Sequence, residues 1–160
     1  MLSEKAGCLG ILLRMFRGGG ESREDLPYEK CEYLLTKAEK SFFLVLVQAV
    51  PQDHAVFPKT RLADLIKIRK GVEKWQSHFN RISAKHADFV VCDRQWITPR
   101  LVIELDDASH GESRRAERDD FIDAALKAAG LPVLHVKARA AYDARELGKQ
   151  IAELLAPPQQ

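Results

Sequence analysis

Two apolar, β-rich runs of this chain carry carboxylates at spacings that could share one face of a sheet. The first run, 86–92, contains Asp88, and the second, 101–107, contains Glu104 and Asp106. Because the side chains of a strand alternate between its two faces, Glu104 and Asp106 are expected to project to the same side. The two runs therefore hold three acidic side chains within one stretch of predicted sheet.

The residues between these runs, 93–100, are predicted to return the chain so that the two strands lie antiparallel. Asp88, Glu104 and Asp106 would then converge on one patch. Like charges at close range are unfavourable unless a cation neutralises them, and hard divalent cations prefer oxygen ligands. The pattern predicts a Mg²⁺ or Mn²⁺ site, and from that site it indicates phosphate chemistry.

A basic stretch lies directly before the carboxylates. The net charge of the 160-residue chain is only +2, yet between Lys59 and Lys85 eight basic residues face only Asp64 and Glu73. A basic surface beside an acidic metal site suits a polyanionic substrate, since Lys and Arg hold phosphates. We therefore expect a polyanionic partner.

Length and composition indicate one soluble domain, because 46% of the residues are apolar and 30% charged. Three cysteines without C-x-x-C spacing argue against a disulfide framework or a structural zinc site and favour the cytoplasm. The apolar stretch 6–16 is too short to span a bilayer, although an interfacial amphipathic segment is the alternative. We expect a flexible arm over 1–30, the folded domain over 31–156 and a tail over 157–160. The oligomeric state stays open.

Hydrophobic periodicity predicts helices alternating with strands. Thr36 and Glu39 have the spacing of a capping box, which predicts the start of the first helix. Strand 100–106, helix 113–129 and strand 133–136 form a βαβ unit, which predicts parallel pairing. The expected fold class is α/β, with a mixed four-stranded sheet and flanking helices. The other predicted elements are a strand at 55–58, a helical turn at 62–66, a helix over 72–84 with Trp75, Phe79 and Ile82 as its apolar repeat, a strand over 86–92 and a helix over 144–155.

An α-β-β-β-α-β core with Asp on its second strand and Glu-x-acid on its third resembles the restriction-endonuclease-like nucleases, the PD-(D/E)XK superfamily. More narrowly, four short segments resemble domain-of-unknown-function family 2726, which is related to the very-short-patch-repair type endonucleases. The resemblance runs from about Leu34 to His135 and implies a restriction-endonuclease-like core. The four segments are Thr36–Glu39, Lys85–Phe89, Ile103–His110 and Arg118–Asp119.

The resemblance implies roles for individual residues. Asp88 and Glu104 match the metal ligands, and Glu39 matches a first-helix Glu that usually touches the metal through water. Asp106 stands where the broader superfamily has a Lys that orients or activates the attacking water. His110, Lys85 or Lys59 would have to take that role, and the histidines near this loop in the related repair-type enzymes favour His110.

Four basic residues are expected to hold the phosphate backbone, and one of them, Arg118, is as well placed for a salt bridge to Asp88 or Asp106 as for phosphate. The acidic candidates and His110 also have structural alternatives. Glu104 could form a buried ion pair, and Glu39 could serve only as a helix cap. Asp88 could cap a turn, Asp106 could accept backbone hydrogen bonds, and His110 could begin a helix. The expected phosphate-binding residues are Lys59, Arg61, Lys85 and Arg118.

The leading functional hypothesis is metal-dependent hydrolysis of DNA phosphodiesters by an endonuclease. The alternative is a non-catalytic nucleic-acid-binding module that keeps a degenerate nuclease fold. An RNase-H-like nuclease also uses scattered carboxylates, but it typically opens with antiparallel strands, whereas this chain opens with a helix. The spacing names no partner for His54, His78, His86 or His135, which are interpreted as structural or surface residues.

Overall fold

The computed structural model describes residues 26–106 and 112–156, with the side chains of 112–119 left out. The chain divides into two compact units, 1–34 and 35–160. In the first unit, the described residues 26–34 form no helix or strand. All the helices and strands given below belong to the second unit.

Helices and strands alternate along the second unit. The helices are α1 (Lys37–Ala49), α2 (Leu62–Leu65), α3 (Trp75–Ser83), α4 (Glu112–Ala128) and α5 (Ala144–Leu155). The strands are β1 (His54–Arg61), β2 (His86–Asp93), β3 (Pro99–Asp106) and β4 (Val133–Lys137).

Helix α1 begins at the predicted capping box. Glu39 N donates to Thr36 Oγ1 at 3.2 Å, and Thr36 N donates to Glu39 Oε2 at 2.8 Å. These reciprocal bonds satisfy two backbone N–H groups that have no partner within the helix. The helix ends at Ala49, and the C-cap residue Val50 has an extended backbone before Pro51. The predicted start of this helix is confirmed.

The four strands form one mixed sheet in the order β1-β2-β3-β4. The β1–β2 and β2–β3 pairs are antiparallel, whereas β3 and β4 run parallel. The antiparallel return through 93–100 and the parallel βαβ pairing are therefore both confirmed. The α/β class with a mixed four-stranded sheet is confirmed as well.

Helices cover both faces of the sheet. On one face, Phe42 of α1 packs against Phe89 of β2, with 5.5 Å between the ring centroids. On the other face, Leu126 of α4 packs with Val90 and Val102 of the sheet. Such burial on both faces explains why the central strands are continuous apolar runs.

Two element boundaries differ from the predicted ones for reasons of backbone geometry. Strand β1 extends to Arg61 rather than stopping at Pro58, because its pairing with β2 continues through Thr60 and Arg61. Helix α3 starts at Trp75 instead of residue 72, because Lys74 adopts a left-handed conformation with φ 54°. In the part of the chain that the structure describes, no helix is both long and apolar enough to cross a membrane.

Candidate active site

Lys59 occupies an unusual backbone conformation in the edge strand β1. Its φ of 51° lies in the left-handed region, which non-glycine residues seldom adopt in a strand. The flanking pairs, Pro58 with Phe89 and Thr60 with Ala87, keep the same register on both sides of it. A conformation of this kind costs about 1–3 kcal/mol and persists only where surrounding contacts fix it.

The ammonium of Lys59 joins two carboxylates from different elements. Lys59 Nζ donates to Glu39 Oε1 of α1 and to Asp88 Oδ1 of β2, the latter at 3.2 Å. The side chains are partly buried, with 33% of Lys59, 13% of Glu39 and 24% of Asp88 exposed. These three residues, which we call the Lys59 cluster, form a half-buried site where α1 meets the strands.

Asp88 is also tied to the neighbouring strand β3. Its Oδ2 accepts a hydrogen bond from Leu105 N at 3.0 Å. At this end of the sheet the last paired residues of β2 and β3 are Phe89 and Ile103. The bond between Asp88 and Leu105 lies just beyond this pair. A side-chain oxygen of Asp88 thus accepts the hydrogen bond that Leu105 N would otherwise donate to a main-chain carbonyl of a neighbouring strand. Both carboxylate oxygens of Asp88 therefore have hydrogen-bond partners.

Glu104 lies beside this bond, between Ile103 and Leu105 on β3. The residue is half-buried, and its Oε1 is shielded from solvent. In the parallel register Glu104 is opposite His135 of β4. Asp88 accepts a hydrogen bond from Leu105, the residue that follows Glu104. Glu104 therefore lies at the same end of the sheet as the Lys59 cluster.

The regular alternation of faces, from which a shared carboxylate face was predicted, does not hold at Asp88. Ala87 packs in the core on one side of the sheet, whereas Phe89 packs in the core on the other side. In a regular strand, residues two positions apart share a face. The change of face at Asp88 explains why its carboxylate reaches towards β3 and Lys59.

Electrostatics keeps Glu39 and Lys59 charged. Burial raises the pKa of Glu39, but hydrogen bonds from Lys59 and Thr36 outweigh it, so the pKa of Glu39 is lowered. Burial lowers the pKa of Lys59, yet hydrogen bonds to Glu39 and Asp88 outweigh it, so that pKa is raised. Lys59 and Glu39 are therefore an ion pair at neutral pH.

Asp106 lies in a separate group around His135. His135 Nδ1 is 3.3 Å from Asp106 Oδ1, and Nε2 is 3.0 Å from Asp123 Oδ2 of α4. Burial lowers the pKa of His135, but the hydrogen bond to Asp106 and the charge of Asp123 outweigh it, and the pKa is raised. We call Asp106, His135 and Asp123 the His135 triad.

Sequence reasoning missed this role of His135, which it treated as a residue without a nameable partner. Its partners are 29 and 12 positions away, on β3 and α4. The signal available was the predicted βαβ unit, since parallel pairing of β3 with β4 brings His135 close to Asp106. The triad links both strands to the helix that connects them.

The structure thus separates the predicted site residues. Glu39, Lys59 and Asp88 meet at the end of the sheet that also carries Glu104, whereas Asp106 pairs with His135. Among the described side chains, those of residues 26–106 and 120–156, no three His, Cys, Asp or Glu residues form a group positioned for a metal ion. The predicted convergence of Asp88, Glu104 and Asp106 on one patch is therefore not found there.

The other predicted phosphate-binding and proton-transfer residues are less central. Arg61 is exposed, and its guanidinium pairs with Asp64 at 2.7 Å. Lys85 is half-buried, and its carbonyl accepts a hydrogen bond from Leu62 N at 2.8 Å. His110 and the side chain of Arg118 lie outside the described residues.

The fold and the site define an α/β protein with a carboxylate–lysine cluster at one end of a mixed sheet. The family model described as a protein of unknown function (DUF2726) matches residues 31–154, and the chain belongs to this family. No curated protein and no solved structure matches the chain. The predicted membership of this family is confirmed, while its relation to the nuclease superfamily stays a prediction.

Proposed function

We propose that this protein is a metal-dependent nuclease with a restriction-endonuclease-like core, and that it hydrolyses phosphodiester bonds of DNA. The observation that carries the proposal is the Lys59 cluster. Carboxylates from α1 and β2 meet one cation at the end of the sheet that also carries Glu104, where the pairing of β2 with β3 gives way to a side-chain bond. Acidic groups gathered around a positive centre are what phosphate chemistry with a divalent ion requires.

The Lys59 ammonium serves as a stand-in for a bound cation. One positive centre contacts both Glu39 and Asp88, so the spacing of these carboxylates suits a small cation. Carboxylate oxygens are also the donors that Mg²⁺ and Mn²⁺ prefer. In this proposal Asp88 and Glu104 hold the ion directly and Glu39 holds it through water. Bound there, the ion would supply Lewis-acid polarisation of the scissile phosphate and activation of water.

Lys59 takes the role of the superfamily lysine in this proposal. Asp106 occupies that lysine's position in the sequence, and Asp106 is bonded to His135. The sequence favoured His110 as the substitute, with Lys85 and Lys59 as alternatives. Lys59 has the supporting contact, since its Nζ lies 3.2 Å from Asp88 Oδ1. With the ion bound between the carboxylates, the ammonium would be displaced from them and would hold and orient the phosphate beside the ion.

A second function is favoured by the same ion pairs. Lys59 already offsets one of the two negative charges of Glu39 and Asp88, which reduces the need for a metal ion. A protein that keeps this pairing permanently would be a non-catalytic nucleic-acid-binding module. The two functions differ in turnover and not in the fold.

The test uses purified protein with supercoiled plasmid and branched DNA, in Mg²⁺ or Mn²⁺ and in EDTA. We expect cleavage that depends on the metal and is lost in Glu104→Ala. The matched control is Asp53→Asn, which removes an exposed carboxylate beside His54, at the opposite end of β1 from Lys59. Binding without cleavage of either DNA would favour the module and contradict the nuclease.

A further inference from the structure

A segment rich in basic residues connects β1 and β2, the two strands that carry Lys59 and Asp88. This segment, residues 62–85, contains α2 and α3 and is called here the basic connection. It leaves β1 after Arg61, returns to β2 at His86, and is closed by Leu62 N donating to the Lys85 carbonyl at 2.8 Å. Because Lys59 and Asp88 flank its two ends, the basic connection is anchored at the cluster.

The charge of the basic connection is strongly positive. It contains six basic residues against Asp64 and Glu73. Asp64 pairs with Arg61, which lies just outside the segment, so Glu73 is the remaining acidic group. Four of the basic side chains are exposed in the stretch before α3 and at its N-cap. These are Lys67, Arg69, Lys70 and Lys74.

Trp75, the first residue of α3, stands next to these charges. It is 48% exposed, although the sequence placed it with Phe79 and Ile82 in an apolar repeat. The Phe79 ring stacks on the indole at 4.9 Å between centroids and 10° between planes. One turn of helix thus holds the indole in a fixed orientation, while much of it stays open to solvent.

We propose that the basic connection binds single-stranded DNA, with one unpaired base stacked on Trp75 and the adjacent phosphates held by the four exposed basic residues. A basic surface interleaved with an aromatic platform is the arrangement that recognises single strands. In an intact duplex each base face is covered by its neighbours, so an exposed indole finds no face to stack on. The inference rests on the proposed function, because the basic connection would deliver the bound strand to the Lys59 cluster.

The chain offers a matched control for Trp75. Trp96 is even more exposed, at 77%, and lies in the turn between β2 and β3. That turn is at the opposite end of β2 from Asp88, and Asp93 Oδ1 accepts a hydrogen bond from Trp96 N at 2.8 Å. A general effect of exposed indoles would appear at both positions, whereas binding by the basic connection depends on Trp75 alone.

The experiment measures the fluorescence anisotropy of a labelled thymidine oligonucleotide of about 20 nucleotides and of its adenine-paired duplex, in EDTA and low salt. We expect Trp75→Ala to weaken single-strand binding by about 5-fold to 100-fold, the loss of one base stack. Trp75→Phe should retain most of the affinity, and Trp96→Ala should stay within about twofold of the wild type. Duplex binding should change little in any of these variants.

A second readout guards against a variant that misfolds. Trp96→Phe leaves Trp75 as the sole indole, and the single strand should quench its fluorescence at the concentrations that saturate the anisotropy. Unchanged single-strand affinity in a folded Trp75→Ala, or an equal loss in Trp96→Ala, would overturn the inference. Because EDTA prevents metal-dependent cleavage, failure of the cleavage test overturns the nuclease proposal without affecting this result.

Discussion

Replacing Lys59 by Met separates the charge of the Lys59 cluster from its packing. Methionine keeps an unbranched stem but removes the ammonium that joins Glu39 Oε1 and Asp88 Oδ1. The carboxylates would then face each other without a cation, at sites where only 13% and 24% of the side chains are exposed. We expect Lys59→Met to destabilise the fold in the absence of metal.

The size of the effect follows from this partial burial. Exposed ion pairs contribute about 0–1 kcal/mol, whereas removing one partner of a fully buried pair costs about 3–5 kcal/mol. The Lys59 side chain is 33% exposed, so we discount the larger figure and expect about 1–3 kcal/mol. For a domain of this size, that loss lowers Tm by about 4–12 °C.

The assay is thermal unfolding followed by circular dichroism, in EDTA and in millimolar Mg²⁺. Mg²⁺ should raise the Tm of Lys59→Met more than that of the wild type, because the carboxylates then lack their internal cation. Lys85→Met, at a half-buried lysine on the same end of the sheet, is the matched control and should show neither change. Equal Tm values in EDTA for Lys59→Met and the wild type would refute the reasoning.

Two further predictions concern the His135 triad and the packing of helices α1 and α5. The pKa of His135 is raised in the fold, so its contribution to stability is complete below the unfolded value of about 6.5 and is lost as pH rises through the folded value. His135→Gln should flatten the pH dependence of the free energy of unfolding, measured with urea, as pH rises above about 6.5. A wild-type slope retained in His135→Gln would contradict this. A Cβ at Gly148 would lie 3.1 Å from the Ala49 carbonyl oxygen, so Gly148→Val should force the helices apart and cost about 1–3 kcal/mol in the same titration. An unchanged urea midpoint for Gly148→Val would show that this close approach is not required.

Local patterns were enough to predict most of the fold. The capping box at Thr36, the apolar run through Ile103 and the helix from 144 to 155 each depend on neighbours within a few positions. The parallel pairing of β3 with β4 followed from the intervening helix, because such a connection requires it. These features could be predicted because the local conformational preferences of their residues agree with the tertiary packing.

The contacts of the site could be predicted only in part, because they depend on backbone geometry that no local pattern encodes. Lys59 was named as a phosphate-binding residue, but its bonds to Glu39 and Asp88 need a left-handed residue within a strand. Asp106 was placed with Asp88 by strict alternation, yet its carboxylate lies beside His135. Regular strand geometry was the assumption that failed, at Lys59 and at Asp88.

Aromatic periodicity likewise gave an incomplete account of α3. Trp75, Phe79 and Ile82 have helical spacing and were assigned to one apolar face. Ile82 is buried and Phe79 is half-buried, whereas Trp75 at the first turn extends beyond the core. Spacing alone does not show where the rest of the protein stops covering α3. The indole of Trp75 lies past that point and is therefore exposed.

The most direct test of the proposed nuclease activity is the single-turnover rate of DNA cleavage by wild type, Asp88→Asn and Glu104→Gln in saturating Mg²⁺. We predict a metal-dependent rate in the wild type that falls by about 10²-fold or more in each variant, because each removes a carboxylate that would hold the ion. Asp53→Asn should cleave at the wild-type rate. Cleavage by Asp88→Asn or Glu104→Gln as fast as by the wild type, or no cleavage by the wild type on plasmid or branched DNA, would contradict it.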